Sequence, residues 1–142
     1  MKNKIEYVIY GVIVILVVAI LFNNLVPSES QDKEIQEFKS ISSGSTDTGD
    51  VSIELKPKQI TDEQIIIDIS VNTHSVDLSP FNLEEITTLE FDGKEIKPVS
   101  AIALSGHHSS GEIIFKTGEE VKSFTIKIKG IPNVDERVFE WQ

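Results

Sequence analysis

The three histidines of this chain lie in two short polar stretches. His74 belongs to "VNTHSVDLS", while His107 and His108 are adjacent in "LSGHHSSGE". Neutral imidazole is a good ligand for Cu(II) and Zn(II), so three converging imidazoles would make a metal site. Asp77 is a candidate fourth ligand. The sequence therefore predicts that His74, His107 and His108 bind a metal ion, copper ahead of zinc.

Residues that could orient the imidazole rings by hydrogen bonds lie next to the histidines: Asn72, Thr73, Ser75, Ser109 and Ser110. The chain has no cysteine, which excludes a blue-copper centre, any other thiolate site and disulfides. The competing interpretation is that the histidines are surface groups that only hydrogen-bond to loop backbone.

A hydrolytic enzyme is not favoured. Asp77, His107 and Ser109 have the residue types of a catalytic triad, but a triad works through geometry that a sequence cannot supply. Nothing like a strand-to-helix nucleophile elbow surrounds Ser109. Redox chemistry at copper would need an open coordination position, which the sequence does not establish. We therefore expect a binding protein rather than an enzyme.

An apolar run near the N-terminus predicts where the protein resides. Residues 7–22 carry no charge and, with the apolar residues up to 26, supply about twenty residues, enough for one helix to span a bilayer. Lys2 and Lys4 precede the run and acidic residues follow it, which favours a cytoplasmic N-terminus. Residues 1–26 are thus predicted as the cytoplasmic N-terminus and transmembrane signal-anchor helix of a single-pass cell-membrane protein, with the C-terminal domain outside.

The alternative for this segment is a secretory signal peptide that is cleaved after Ser28. Its apolar part is longer than the roughly 7–15 residues that such signals usually have. This length favours an uncleaved anchor.

The rest of the chain divides by composition. Residues 27–50 are polar and acidic and predict a stalk or linker, whereas residues 51–142 predict an extracytoplasmic globular domain. The net charge of the chain is −10, which would repel nucleic acid and anionic lipid headgroups and attract cations. Nucleic acid is therefore a poor candidate, and we expect no nucleic-acid partner.

In residues 51–142, hydrophobic side chains recur at every second position. Residues 65–71 and 124–128, for example, alternate apolar side chains with mostly polar ones, and turn signals such as Asp92-Gly93 separate the runs. About seven short strands of this kind predict an all-β, immunoglobulin-like antiparallel β-sandwich, with a small barrel as the alternative.

The predicted fold suggests how the histidines could meet. His74 lies where the 65–71 strand ends, and residues 106–111 have the glycines and serines of a loop. Strand ends and loops of a sandwich lie at its two poles, so these two segments could share one pole.

Three segments resemble a family of extracytoplasmic β-sandwich domains in bacteria and archaea. They are "NTHSVDLS" at 72–79, "GHHSSGEIIF" at 106–115 and "ERVFEW" at 136–141, in the order that the family has. The resemblance covers about residues 51–142 and implies the fold and the location, because the family has no established activity. The alternative to metal binding is therefore a non-catalytic structural or interaction module that docks onto a larger membrane or envelope complex.

The predicted topology can be tested by proteolysis. We expect protease added to intact cells or spheroplasts to remove the domain from residue 51 onward while an N-terminal tag stays protected. The measurement is immunoblotting of tags at the two ends. A protected C-terminal tag would contradict the orientation.

Overall fold

A computed structural model describes residues 38–142, which form two antiparallel sheets and one short helix. The elements are β1 (Ile41–Ser43), β2 (Ser52–Ile60), β3 (Gln64–Asn72), α1 (Leu83–Ile86), β4 (Thr87–Phe91), β5 (Lys94–Ile96), β6 (Ser100–Ala101), β7 (His108–Lys116), β8 (Phe124–Lys129) and β9 (Glu136–Trp141).

The strands divide between the sheets in a simple pattern. The first sheet has the order β1-β2-β3-β7-β6 and the second has the order β5-β4-β8-β9. The chain crosses from one sheet to the other after β3, after β5 and after β7. The β3–β4 crossing carries His74, and the segment between β6 and β7 carries His107.

One hydrophobic core joins the inner faces of both sheets. Its strand residues are Ile53, Leu55, Ile65, Ile67, Ile69, Val71, Ile113 and Phe115 from the first sheet and Leu89, Phe91, Phe124, Ile126, Ile128, Phe139 and Trp141 from the second. They occupy alternate positions, as the period of two predicted. Each buries an apolar side chain that contributes about 1.5–3 kcal/mol relative to exposure.

The prediction of an all-β domain is confirmed, but residues 38–142 contain nine strands rather than about seven. The two additional strands are β1 and β6, which have three and two residues. Such short strands lack a readable alternation, and each is paired only at the edge of the first sheet.

The start of the domain also differs from the prediction. Residues 41–43 were predicted as part of a stalk, yet Ile41 pairs with Leu55 and Ser43 with Ile53. Pairing with a neighbouring strand satisfies the backbone of a polar segment that composition alone assigns to a linker. Residues 1–37, with the predicted anchor, lie outside the described residues. Within residues 38–142, no helix is long and apolar enough to cross a membrane.

A buried arginine connects the β8–β9 turn to the start of β2. The Arg137 side chain is fully buried and donates hydrogen bonds to four carbonyl oxygens, three in the β8–β9 turn and one at Val51. The Asp50 carboxylate lies 3.5 Å from the guanidinium. A buried charge is costly unless it is paired and hydrogen-bonded, and these contacts satisfy the two terminal nitrogens, while Nε has no hydrogen-bond partner among residues 38–142. Arg137 therefore ties β9 to the start of β2.

The alternation of β3 can be tested with two adjacent isoleucines. Ile67 is fully buried, so Ile67→Ala should leave a cavity and lower the free energy of unfolding by about 2–5 kcal/mol. Ile66 lies on the opposite, partly exposed face, so Ile66→Ala should cost about 1 kcal/mol or less. Urea unfolding of the two variants measures the difference. Equal losses would contradict the assignment of the faces.

Candidate functional site

His74 lies in a loop whose backbone is held by a buried threonine. β3 ends at Asn72, and the buried Thr73 hydroxyl donates to the Asp50 carbonyl oxygen at 2.7 Å. The same hydroxyl accepts hydrogen bonds from the N–H groups of the two residues that follow His74, at 3.4 and 3.3 Å. The backbone on both sides of His74 is therefore fixed, while its side chain is exposed.

A tight turn brings the second histidine stretch against this loop. Gly106 has a φ of +59°, a backbone conformation that glycine adopts without a steric penalty. The N–H of Thr73 donates to the His107 carbonyl oxygen at 2.9 Å, and the N–H of Leu78 donates to the Gly106 carbonyl oxygen at 3.0 Å. The two histidine segments thus lie side by side at one pole, which is the arrangement that the sequence suggested.

The prediction that residues 106–111 form a loop is wrong for most of the segment. β7 begins at His108 and continues through the serines and Gly111, paired with β3 over its whole length. Ladder hydrogen bonds from β3 outweigh the weak strand preference of glycine and serine. Only Gly106 and His107 form the turn.

The ring of His108 is oriented by a hydrogen bond. His108 lies opposite Asn72 in the β3–β7 register, and its Nδ1 is 2.9 Å from Asn72 Oδ1. The Asn72 amide nitrogen donates to Ser70 Oγ at 3.1 Å, with the amide oxygen on the side of the ring. In the neutral tautomer with the proton on Nδ1, the ring donates this hydrogen bond to Asn72 Oδ1. The lone pair of the neutral ring is then on Nε2, the atom available to a ligand.

His74 lies next to His108. Their ring centroids are 6.5 Å apart and the rings meet edge to face at 73°. Both side chains are exposed, so rotation about their side-chain bonds can change the distance between the rings without moving the backbone. A metal ion held between them would need nitrogen–metal distances of about 2.0–2.1 Å.

His107 and Asp77 form a second neighbouring pair at the same pole. Hydrogen bonds from the Ser79 N–H and hydroxyl hold the pKa of the Asp77 carboxyl below its ordinary value, and the nearby His107 adds a smaller effect in the same direction. Among residues 38–142, no group of three or more histidine or acidic side chains is arranged to hold a metal ion. A site that joins all three histidines with Asp77 therefore stays a prediction.

Of the residues expected to orient the rings, Asn72 has that contact. Ser75 Oγ instead accepts a hydrogen bond from the Gly49 N–H at 2.6 Å. Ser109 Oγ donates to the Ser105 carbonyl oxygen and accepts from the Ser105 N–H, both at 3.0 Å. These bonds hold the loops that carry the histidines.

The loop of residues 44–50 supports the site, and sequence reasoning missed it. Asp50 accepts hydrogen bonds from the N–H groups of Val51 at 2.7 Å and Ser45 at 2.8 Å. Its carbonyl oxygen is the one that Thr73 binds. The turn signals of "SGSTDTGD" were present in the sequence, but the acidic composition assigned them to the stalk.

Comparison of the chain with protein-family models, with curated proteins and with solved structures finds no match. The resemblance of the three segments to an extracytoplasmic family stays a prediction. The function of the pole therefore has to be argued from its geometry.

The role of Asp50 can be tested by its pH dependence. The hydrogen bond from the Val51 N–H, followed by those from Ser45, lowers the pKa of the Asp50 carboxyl, with a smaller effect from Arg137. A lowered pKa contributes stability that is present above the ordinary value and is lost as the pH falls below about 4. Asp50→Asn keeps one acceptor oxygen and removes the charge. It should unfold at lower urea than wild type at pH 7, with a difference that shrinks at pH 3.

A matched control for this measurement is Asp62→Asn, in the exposed turn between β2 and β3. It should change the urea midpoint little at either pH. A difference between Asp50→Asn and wild type that is as large at pH 3 as at pH 7 would show that the charge of Asp50 does not support the loop.

Proposed function

We propose that this domain binds a transition-metal ion through His74 and His108, with copper(II) favoured over zinc(II). Nitrogen and oxygen ligands bind Cu(II) more tightly than Zn(II), which gives this order. The observation that carries the proposal is the 2.9 Å hydrogen bond between His108 Nδ1 and Asn72 Oδ1, in a ring whose centroid lies 6.5 Å from that of the His74 ring. Metal-ligating histidines almost always donate their other ring N–H in this way.

The surroundings of the two rings favour a cation. The chain has a net charge of −10, and the acidic field of its surface raises the local concentration of cations. Asp77 and His107 form a separate pair in the adjoining segments, and water can occupy the coordination positions that the two imidazoles leave open. Ser75, which follows His74, and Ser110, two residues after His108, are small and exposed.

The setting that we propose is a membrane-anchored domain outside the cell with an immunoglobulin-like β-sandwich. Two antiparallel sheets with one core support the sandwich. The uncharged run at residues 7–22 and the lysines before it support the anchor and the orientation. Copper and zinc would reach such a domain without crossing the membrane.

A docking module is the second candidate function, and an edge strand favours it. β9 is the last strand of the second sheet, and Val138 on its outer face is 44% exposed. An edge strand presents backbone donors and acceptors that an extended segment of another protein can pair with. In this alternative, the histidines are surface groups, and the partner is a membrane or envelope protein.

Metal binding can be tested by calorimetric titration of the full chain with Cu(II) and with Zn(II). We expect His74→Ala and His108→Ala each to weaken binding by at least about tenfold, because each removes one ligand. Asn72→Ala should weaken it about 10–100-fold, because the ring of His108 loses its orienting partner. Metal ligation needs deprotonated imidazole, so binding should be weaker at pH 5.5 than at pH 7.5.

The matched control is His107→Ala, which removes an exposed imidazole of the same pole. A small effect of this variant supports a site centred on the other two histidines, whereas an equal loss supports the three-histidine site of the sequence analysis. At a free metal concentration of 100 times Kd, wild type should gain about 2.7 kcal/mol of stability. If metal neither binds nor stabilises wild type, the docking module becomes the better proposal.

A further inference from the structure

The metal site that we propose is incomplete within one chain. His74 and His108 are the two imidazoles in contact, and residues 38–142 contain no group of three or more suitable side chains. Protein-bound zinc takes four ligands in structural sites and three protein ligands in catalytic ones. Two imidazoles therefore leave two coordination positions to be filled by ligands from elsewhere.

The pole is accessible to a second protein surface. Both imidazoles are exposed, and so are Ser75 beside His74 and Ser110 two residues after His108. Across the first sheet, Ser52 of β2 pairs with Asn72 of β3, and Asn72 pairs with His108 of β7. The residues in this row, which we call the histidine row, have small or medium polar side chains. A metal ion held by the two rings can be approached from the solvent side.

We propose that two copies of this chain share one metal ion, each supplying His74 and His108. This inference rests on the proposed metal binding. A two-fold axis through the metal doubles two imidazoles to four, which is a complete tetrahedral set for Zn(II). The only ligands that it requires are side chains that this chain already brings together.

Charge makes this association depend on the metal. Each copy has a net charge of −10, so two copies repel each other at low ionic strength. On the same face of the first sheet, the basic residues Lys56 and Lys58 of β2 lie two or more rows from the histidine row. Lys58 forms salt bridges with Asp68 and Glu112. A divalent cation between the poles supplies the positive charge that these surfaces lack. Without it, we expect the poles to stay apart.

The test uses the full chain with Zn(II), with Mg(II) or with EDTA. The expected result is one zinc bound per two chains, together with a zinc-dependent doubling of the mass measured by light scattering. Mg(II), which prefers oxygen ligands, should produce no change. His108→Ala should lose both the zinc and the change in mass, whereas His107→Ala should keep both.

A site-specific distance measurement covers the case in which copies also associate through another part of the chain. The sequence has no cysteine, so Ser110→Cys gives a single position for a nitroxide label. Ser110 is exposed and lies on the same strand face as His108, two residues away. Zinc should create a short label-to-label distance between copies that EDTA removes and that His74→Ala prevents.

The outcomes separate this inference from the function on which it rests. One zinc per chain, without a short distance between labels, would overturn the shared site and leave metal binding intact. Loss of zinc in His107→Ala or Asp77→Ala, with no association of copies, would show that the chain completes the site by itself. If no zinc or copper binds, both the shared site and the metal-binding function are wrong.

Discussion

The pairing of β3 with β7 is the constraint on which the core and the candidate site both depend. The two strands are paired from Gln64 opposite Lys116 to Asn72 opposite His108. Their inward-facing side chains belong to the core. At the last pair of the register, on the outer face, the Asn72 amide forms a hydrogen bond with the His108 ring. Slipping the register by one residue would turn every core side chain of β3 to the solvent. Burial of the core therefore also holds His108 against Asn72.

With no disulfide, the ends of the sheets are held by buried polar contacts. Arg137 joins the β8–β9 turn to the start of β2, and Thr73 joins the loop after β3 to Asp50. Each contact removes backbone carbonyl groups from water, which costs free energy unless they are bonded. These contacts order the loops at the histidine pole, so the positions of the histidine backbones are set before any ligand arrives.

The two imidazole rings differ in how far the rest of the protein fixes their orientation. The ring of His108 is oriented by its hydrogen bond with Asn72, whereas His74 has an ordered backbone and an exposed side chain. A metal ion would need to order mainly the ring of His74. The side-chain entropy lost on binding is smaller than it would be for two free rings.

The sequence by itself determined the class of the fold and the faces of the long strands. A period of two is a local property, so Ile67 and Ile126 could be assigned to the core from their neighbours alone. Asp92-Gly93 likewise predicted the turn between β4 and β5, because positive φ angles are needed there. Local chemistry also indicated that His74 stands where a strand ends.

Only the tertiary structure decided what partners these residues have. β1 and most of the "GHHSSG" segment are strands because distant strands supply their hydrogen bonds, which local composition cannot reveal. The contact of His74 with His108, and the separation of His107 toward Asp77, follow from the register of β3 with β7 and the turn at Gly106. Register is chosen by the burial of the whole core. A sequence shows which residues could bind a ligand, but the packing of residues far apart in the chain determines which of them meet.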